Sequence, residues 1–151
     1  MAKVKVISAV RGRAGIDDPD LRISRRWPSM GSVVQFEKET LEELMYNPSF
    51  KYMIDTGMLY VEDEEVKEEL GINPEIILLT DKELQRYWKN MPSSQFKLEI
   101  QKLSKEQLEC LAEYAMSHGD DGDFKKAEIL SKATGYSITK GIELEKQSKE
   151  A

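Results

Sequence analysis

Hydrophobic positions along the first forty residues repeat every second place. Val4 and Val6 alternate with Lys3 and Lys5, and Ile7 to Val10 continue the apolar run, which predicts a strand. Arg11 to Asp20 is rich in Gly, Asp and Pro and reads as a loop. Leu21-Arg22-Ile23 alternates again, as a short second strand would. After Pro28 and Gly31, Ser32 to Phe36 reads as a third. From Thr40 the period changes to that of a helix. Thr40 stands at the N-cap position with Glu43 three residues later, the capping-box spacing, and Leu41, Leu44 and Met45 share one face. Asn47-Pro48 interrupts this helix. Phe50 to Ile54 predicts another short one, with Gly57 placed to end it in a left-handed conformation. Met58 to Val61 then reads as a strand, and Glu62 to Leu70 as a short acidic helix closed by Gly71.

Ile72-Asn73-Pro74 is the clearest boundary, and the pattern beyond it is helical. Leu79-Thr80-Asp81-Lys82-Glu83-Leu84 combines an N-cap, an acidic N3 residue and a flanking leucine pair. Leu103-Ser104-Lys105-Glu106-Gln107-Leu108 repeats the arrangement 24 residues later. Two copies do not make a solenoid, which needs at least three stacked units. Leu108, Leu111, Ala112 and Ala115 recur at helical spacing, and His118-Gly119 ends that helix. Asp123 to Thr134 and Ile138 to Gln147 predict two more helices around Gly135-Tyr136-Ser137, with Gln147 to Ala151 fraying. The expectation is an α+β fold. Residues 1–71 form a small β-containing unit with a basic segment and short helices. Residues 75–151 form a mainly α-helical unit of five helices.

Composition narrows the function more than the fold. The chain has 151 residues, 22 basic and 28 acidic, with one Cys and one His. One Cys excludes an intramolecular disulfide framework and every multi-cysteine zinc site. No run of 18 apolar residues exists, so no membrane contact is expected. The N-terminal apolar run stops at Val10 before Arg11 and Arg13, too short for a secretory signal, which points to synthesis in the cytoplasm. The net charge of −6 hides a gradient. Residues 1–30 hold seven basic and three acidic residues, residues 31–70 three and eleven, and residues 71–151 twelve and fourteen. A basic segment beside an acidic one suits an oppositely charged partner or a second copy of the chain.

The groups from which catalysis is usually built are scarce. Cys110 and His118 fall on one helix, eight residues and about 12 Å apart along its axis, too far for a thiolate–imidazole pair. Asp120-Asp121-Gly122-Asp123 aligns in part with a calcium loop, with Glu128 at the closing position. Ser117 and Gly119 stand where the first two carboxylates belong. The preferred reading is an acidic turn at the start of the next helix, where the dipole favours these residues. The glutamate pairs 42-43, 64-65 and 68-69 read as solvated faces, and Gly12-Arg13-Ala14-Gly15 lacks the remainder of any phosphate-loop motif. No catalytic residue, metal or cofactor is therefore expected, and the chain reads as non-enzymatic.

Two segments suggest binding. Arg22-Ile23-Ser24-Arg25-Arg26-Trp27-Pro28 is the densest basic and aromatic cluster. Arg22, Arg25, Arg26 and Trp27 are the candidate partner-binding residues, because arginine and tryptophan anchor interfaces. The alternative for the same residues is a strand end with a buried tryptophan and solvated arginines. Leu130 to Ile138 resembles the turn of a helix-turn-helix, with Gly135 in the turn and Ser137 starting the second helix. Against it, the apolar position four residues after Ser137 is Gly141, and Lys140 and Lys146 are balanced by Glu143 and Glu145. A small DNA-binding or transcription-modulating protein using this turn is the alternative function, although nucleic acid is not the expected partner.

In texture, residues 1 to about 70 resemble small auxiliary or decoration virion proteins of tailed bacteriophages. The segments are Arg26-Trp27-Pro28-Ser29-Met30-Gly31, Thr40-Leu41-Glu42-Glu43-Leu44, Asn47-Pro48-Ser49-Phe50 and Gly57 to Asp63. No diagnostic motif carries the likeness, so no functional residue is transferred. The resemblance implies a structural protein of the virion, made in the bacterial host cytoplasm. It would dock on capsid or connector proteins, or on itself, through its basic N-terminal segment.

Overall fold

The computed structural model describes residues 3–150. It is an α+β chain of two compact units, Met1–Thr80 and Asp81–Ala151, the first β-rich and the second α-helical.

In the first unit, β1 (Lys3–Ser8) is the centre of a three-stranded antiparallel sheet, with β4 (Val33–Glu37) on one side and β5 (Leu59–Val61) on the other. β2 (Ala14–Asp18) and β3 (Ile23–Trp27) form a separate antiparallel hairpin with Gly15 opposite Arg26 and Asp17 opposite Ser24. β2 lies inside the segment whose composition reads as a loop. Its inward positions, Ile16 and Asp18, are buried, but Gly15 and the two aspartates have low strand propensity and mask the alternation. The buried core joins Val4, Val6, Trp27, Phe36, Leu41, Leu44, Phe50 and Ile54. An isolated two-stranded hairpin is marginal in water. This one is fixed by the Trp27 ring, 6.0 Å from that of Phe36.

Among the described residues three helices complete the unit: α1 (Lys38–Leu44), α2 (Pro48–Asp55) and α3 (Glu64–Glu69). Thr40 is not the N-cap of α1. β4 runs straight into the helix, which starts at Lys38 with Glu37 as an N-cap that makes no side-chain capping bond. Asn47 caps α2 instead, its Oδ1 accepting from Ser49 N at 3.0 Å and Phe50 N at 3.3 Å, with Pro48 in the first turn. Asp63 caps α3, and Gly57 and Gly71 take the left-handed conformations expected of them.

The second unit holds five α-helices among the described residues. They are α4 (Asp81–Gln85), α5 (Ser93–Glu99), α6 (Lys105–Ser117), α7 (Phe124–Thr134) and α8 (Ile138–Glu150). The Ser104–Gln107 capping box forms with both of its bonds. A wide π-type turn, Arg86–Asn90, and a break at Pro92 lead into α5, a feature absent from the hydrophobic pattern. Lys126, 2% exposed, donates to the carbonyl oxygens of Tyr87 at 3.2 Å and Trp88 at 2.8 Å in that turn. Burial holds its amine below the usual lysine range. α8 continues through Gln147 to Glu150, where fraying is expected from the sequence; Met1, Ala2 and Ala151 lie outside the described residues.

Candidate functional site

The four partner-binding candidates lie together on or beside β3, yet they play different parts. Trp27 is fully buried, and its Nε1 donates to the carbonyl oxygen of Val6 at 3.0 Å. A partner meeting the folded hairpin would not touch this indole, because it is the hairpin's root in the core. Arg26 reaches across the hairpin to Asp17, with Nη2 3.0 and 2.9 Å from the two carboxylate oxygens. Its side chain lies over Gly15, where a Cβ would stand 2.8 Å from Arg26 Cδ. The glycine leaves room for this close approach, and a Cβ there would make the exposed arginine shift. The pair, with Ser24 Oγ donating to Asp17 at 2.7 Å, holds the Asp17 carboxyl below its usual range. Both side chains are well exposed, so the pair orients the guanidinium more than it stabilises the fold.

Arg25 and Arg22 are exposed. Arg25 donates to the carbonyl of Ser24 at 2.9 Å. Arg22 closes the Pro19–Arg22 turn and has φ +54°, the one described non-glycine residue with positive φ. A left-handed conformation costs an L-residue other than Gly or Asn about 1–2 kcal/mol, so the arginine is held there by its surroundings. Asp18 is part of those surroundings. Its buried carboxylate accepts from Leu21 N at 3.1 Å and from Asn47 Nδ2 at 3.1 Å, and so ties the turn to the start of α2.

Arg13 was missing from the candidates. It flanks a cleft of about 530 Å³ at the open end of the hairpin, lined by Arg13, Ala14, Gly15, Arg26, Trp27 and Pro28. Two arginines line the cleft, of which Arg26 is paired with Asp17. The signal that could have found it is Gly15 itself, the small residue that makes room for Arg26. Arg13, Arg22 and Arg25 have no ion-pair partner among the described residues. Asp17 and Asp18, the acids within β2, are already engaged.

The other chemically suggestive segments resolve into structural roles. Cys110 is half-buried in α6. His118 ends α6 and stacks on Tyr114 with ring centroids 4.1 Å apart. Gly122 serves the Trp88 indole, whose carbons begin 2.1 Å from where a Cβ would sit, and Trp88 Nε1 donates to the carbonyl of His118 at 2.7 Å. Asp123 is the N-cap of α7, accepting from Lys126 N at 2.8 Å. No group of three or more His, Cys, Asp or Glu residues suited to a metal occurs among the described residues. Gly135 ends α7 with φ +80°, and Gly141 sits where Met116 of α6 packs, its sulfur 2.5 Å from a Cβ at that position. The glycine at 141 therefore belongs to a close α6–α8 contact. Lys146 is bound to Asp120 at 2.7 Å. Among the described residues no helix is long and apolar enough to cross a membrane.

The comparisons do not support the textural likeness of residues 1–70 to virion proteins, and the virion, capsid and bacteriophage assignments do not stand. No family model, no curated protein and no solved structure matches this chain.

Proposed function

We propose that the chain is a non-enzymatic interaction protein that docks on an acidic protein surface through the β2–β3 hairpin. A partner carboxylate enters the cleft between Arg13 and Arg26, while Arg22 and Arg25 meet further acidic groups. The supporting observation is that Arg13, Arg22 and Arg25 are exposed without an acidic partner among the described residues, while Asp17 and Asp18 are committed to the hairpin. Guanidinium groups suit this task because they bind carboxylates in a bidentate fork. A rigid strand pair presents them with little ordering cost on binding. The acidic middle of the chain, residues 31–70, disfavours a polyphosphate partner over an acidic protein patch of limited size.

The helix-turn-helix reading lacks comparable support. On α8, Lys146 is bound to Asp120, and Glu143 is exposed on the same helix as Lys140.

The test titrates the whole chain with fluorescent poly-L-glutamate and with a mixed-sequence DNA duplex at about 50 mM salt, where charge attraction is little screened. Binding of poly-L-glutamate that salt weakens is the expected result. Preference for the duplex would put nucleic acid in place of protein. Binding of neither would overturn the proposal.

A further inference from the structure

The helical unit carries a second surface that the hairpin does not use. The end of α5, the turn after it, the start of α6 and one face of α7 enclose a groove of about 400 Å³. Ile100, Leu103, Leu108, Ile129 and Ala133 supply its apolar lining, and Lys97, Gln101, Glu128 and Lys132 its polar rim. Leu103 and Leu108 flank the α6 capping box as a hydrophobic staple would. Here both line the groove, and Leu108 stays half-exposed although its spacing places it on the apolar face of α6.

We infer that this groove receives an amphipathic helix whose polar face is acidic. The polar lining residues, Lys97, Gln101, Glu128 and Lys132, are all exposed. A small-molecule site ordinarily has a few polar groups placed within an apolar pocket to orient the ligand. An apolar trough with a polar border is what a helix needs, since its anchors at i, i+3 or i+4 and i+7 enter the trough while its polar residues meet the border. The charge of the partner follows from the border. Lys97 on α5 and Lys132 on α7 supply one cation from each wall, and neither has a hydrogen-bond or ion-pair partner among the described residues. Glu128 is the one acid in that border. Two cations against one anion favour an acidic occupant and select against a basic one.

The test uses the full chain and a labelled peptide of about 18 residues, long enough for a marginal helix, with leucines at i, i+3, i+7 and i+10 and glutamates elsewhere. A twin peptide carries lysine for each glutamate. In the full chain with Arg13, Arg22 and Arg25 changed to Glu, so that the hairpin does not itself take up the glutamates, the expected result is saturable one-to-one binding of the glutamate peptide and at least about ten-fold weaker binding of its twin. Lys97→Glu with Lys132→Glu should weaken the glutamate peptide about ten-fold. Ala133→Trp, at an exposed helical position, should fill the groove and abolish binding without disturbing the fold. The native chain should show this binding and, through the hairpin, a second and salt-sensitive one, which separates the two sites. Equal binding of both peptides overturns the proposal, as does binding that Ala133→Trp leaves intact. Saturable binding of dodecanoate with none of the peptide would assign the groove to a small amphiphile and overturn it too.

Discussion

The indole N–H of Trp27 is bonded to the carbonyl oxygen of Val6, 3.0 Å away and 21 residues earlier in the chain. Val6 lies in the central strand of the three-stranded sheet, and Trp27 ends the separate hairpin. One side chain therefore supplies both the hairpin's largest apolar anchor and a polar tie to the sheet. Trp27→Phe should keep much of the packing but lose this bond, costing about 1–3 kcal/mol. Trp27→Ala should cost about 3–5 kcal/mol. Urea unfolding followed by circular dichroism measures both. A tryptophan acting mainly as a surface anchor would give losses near zero.

The turn of the hairpin depends on pH through Asp18. The Asn47 amide, and then the Leu21 N–H, hold its carboxyl below the ordinary range against the opposing effect of burial. A folded-state pKa below the unfolded one contributes stability above the ordinary carboxylate pKa. That stability is lost as pH falls through about 4 and towards the lower folded value. The melting temperature should therefore fall more between about pH 6 and about pH 3 in the native chain than in Asp18→Asn. Equal falls would mean that the Asp18–Asn47 link contributes nothing.

Arg22 separates binding from stability. Its left-handed backbone makes Arg22→Gly free of strain, and the added freedom of the unfolded chain offsets part of that gain. Stability should stay within about 1 kcal/mol of the native value or rise. Affinity for poly-L-glutamate should fall in the same variant. Unchanged affinity would remove Arg22 from the docking surface.

Gly122 makes an opposite prediction. Any Cβ there overlaps the Trp88 indole, which is fully buried and hydrogen-bonded to His118. Gly122→Ala should destabilise the chain by about 1–3 kcal/mol through overpacking, read from the urea midpoint. An alanine tolerated without loss would show that the ring can move.

These relationships explain which parts of the molecule were legible in its sequence. β1, β4, β5 and the helices α6 and α7 follow the hydrophobic period, and the Ser104 cap follows from the spacing to Gln107. β2 was hidden because Gly15 and Asp17 serve the Arg26 contact at the expense of strand propensity. Thr40 was misleading because a cap needs a chain arriving from a loop, and β4 enters α1 directly. The arginine cluster was visible, but the division of labour within it was not. A buried tryptophan, a paired arginine and two exposed arginines share one segment, and only long-range partners such as Val6 and Asp17 tell them apart. Arg13 joins the cleft through strand pairing, which one-dimensional spacing does not display.

The measurement that tests the docking account most directly compares the native chain with Arg13→Glu/Arg22→Glu/Arg25→Glu. Both are titrated with poly-L-glutamate at about 50 and about 300 mM salt, below and above the range where surface charges are screened. Circular dichroism should be the same for the two chains, because none of the three arginines is paired with an acid among the described residues. Binding by the native chain at low salt, its loss at high salt, and none by the variant at either is the expected result. Equal binding by the two chains, with the fold intact, would contradict it.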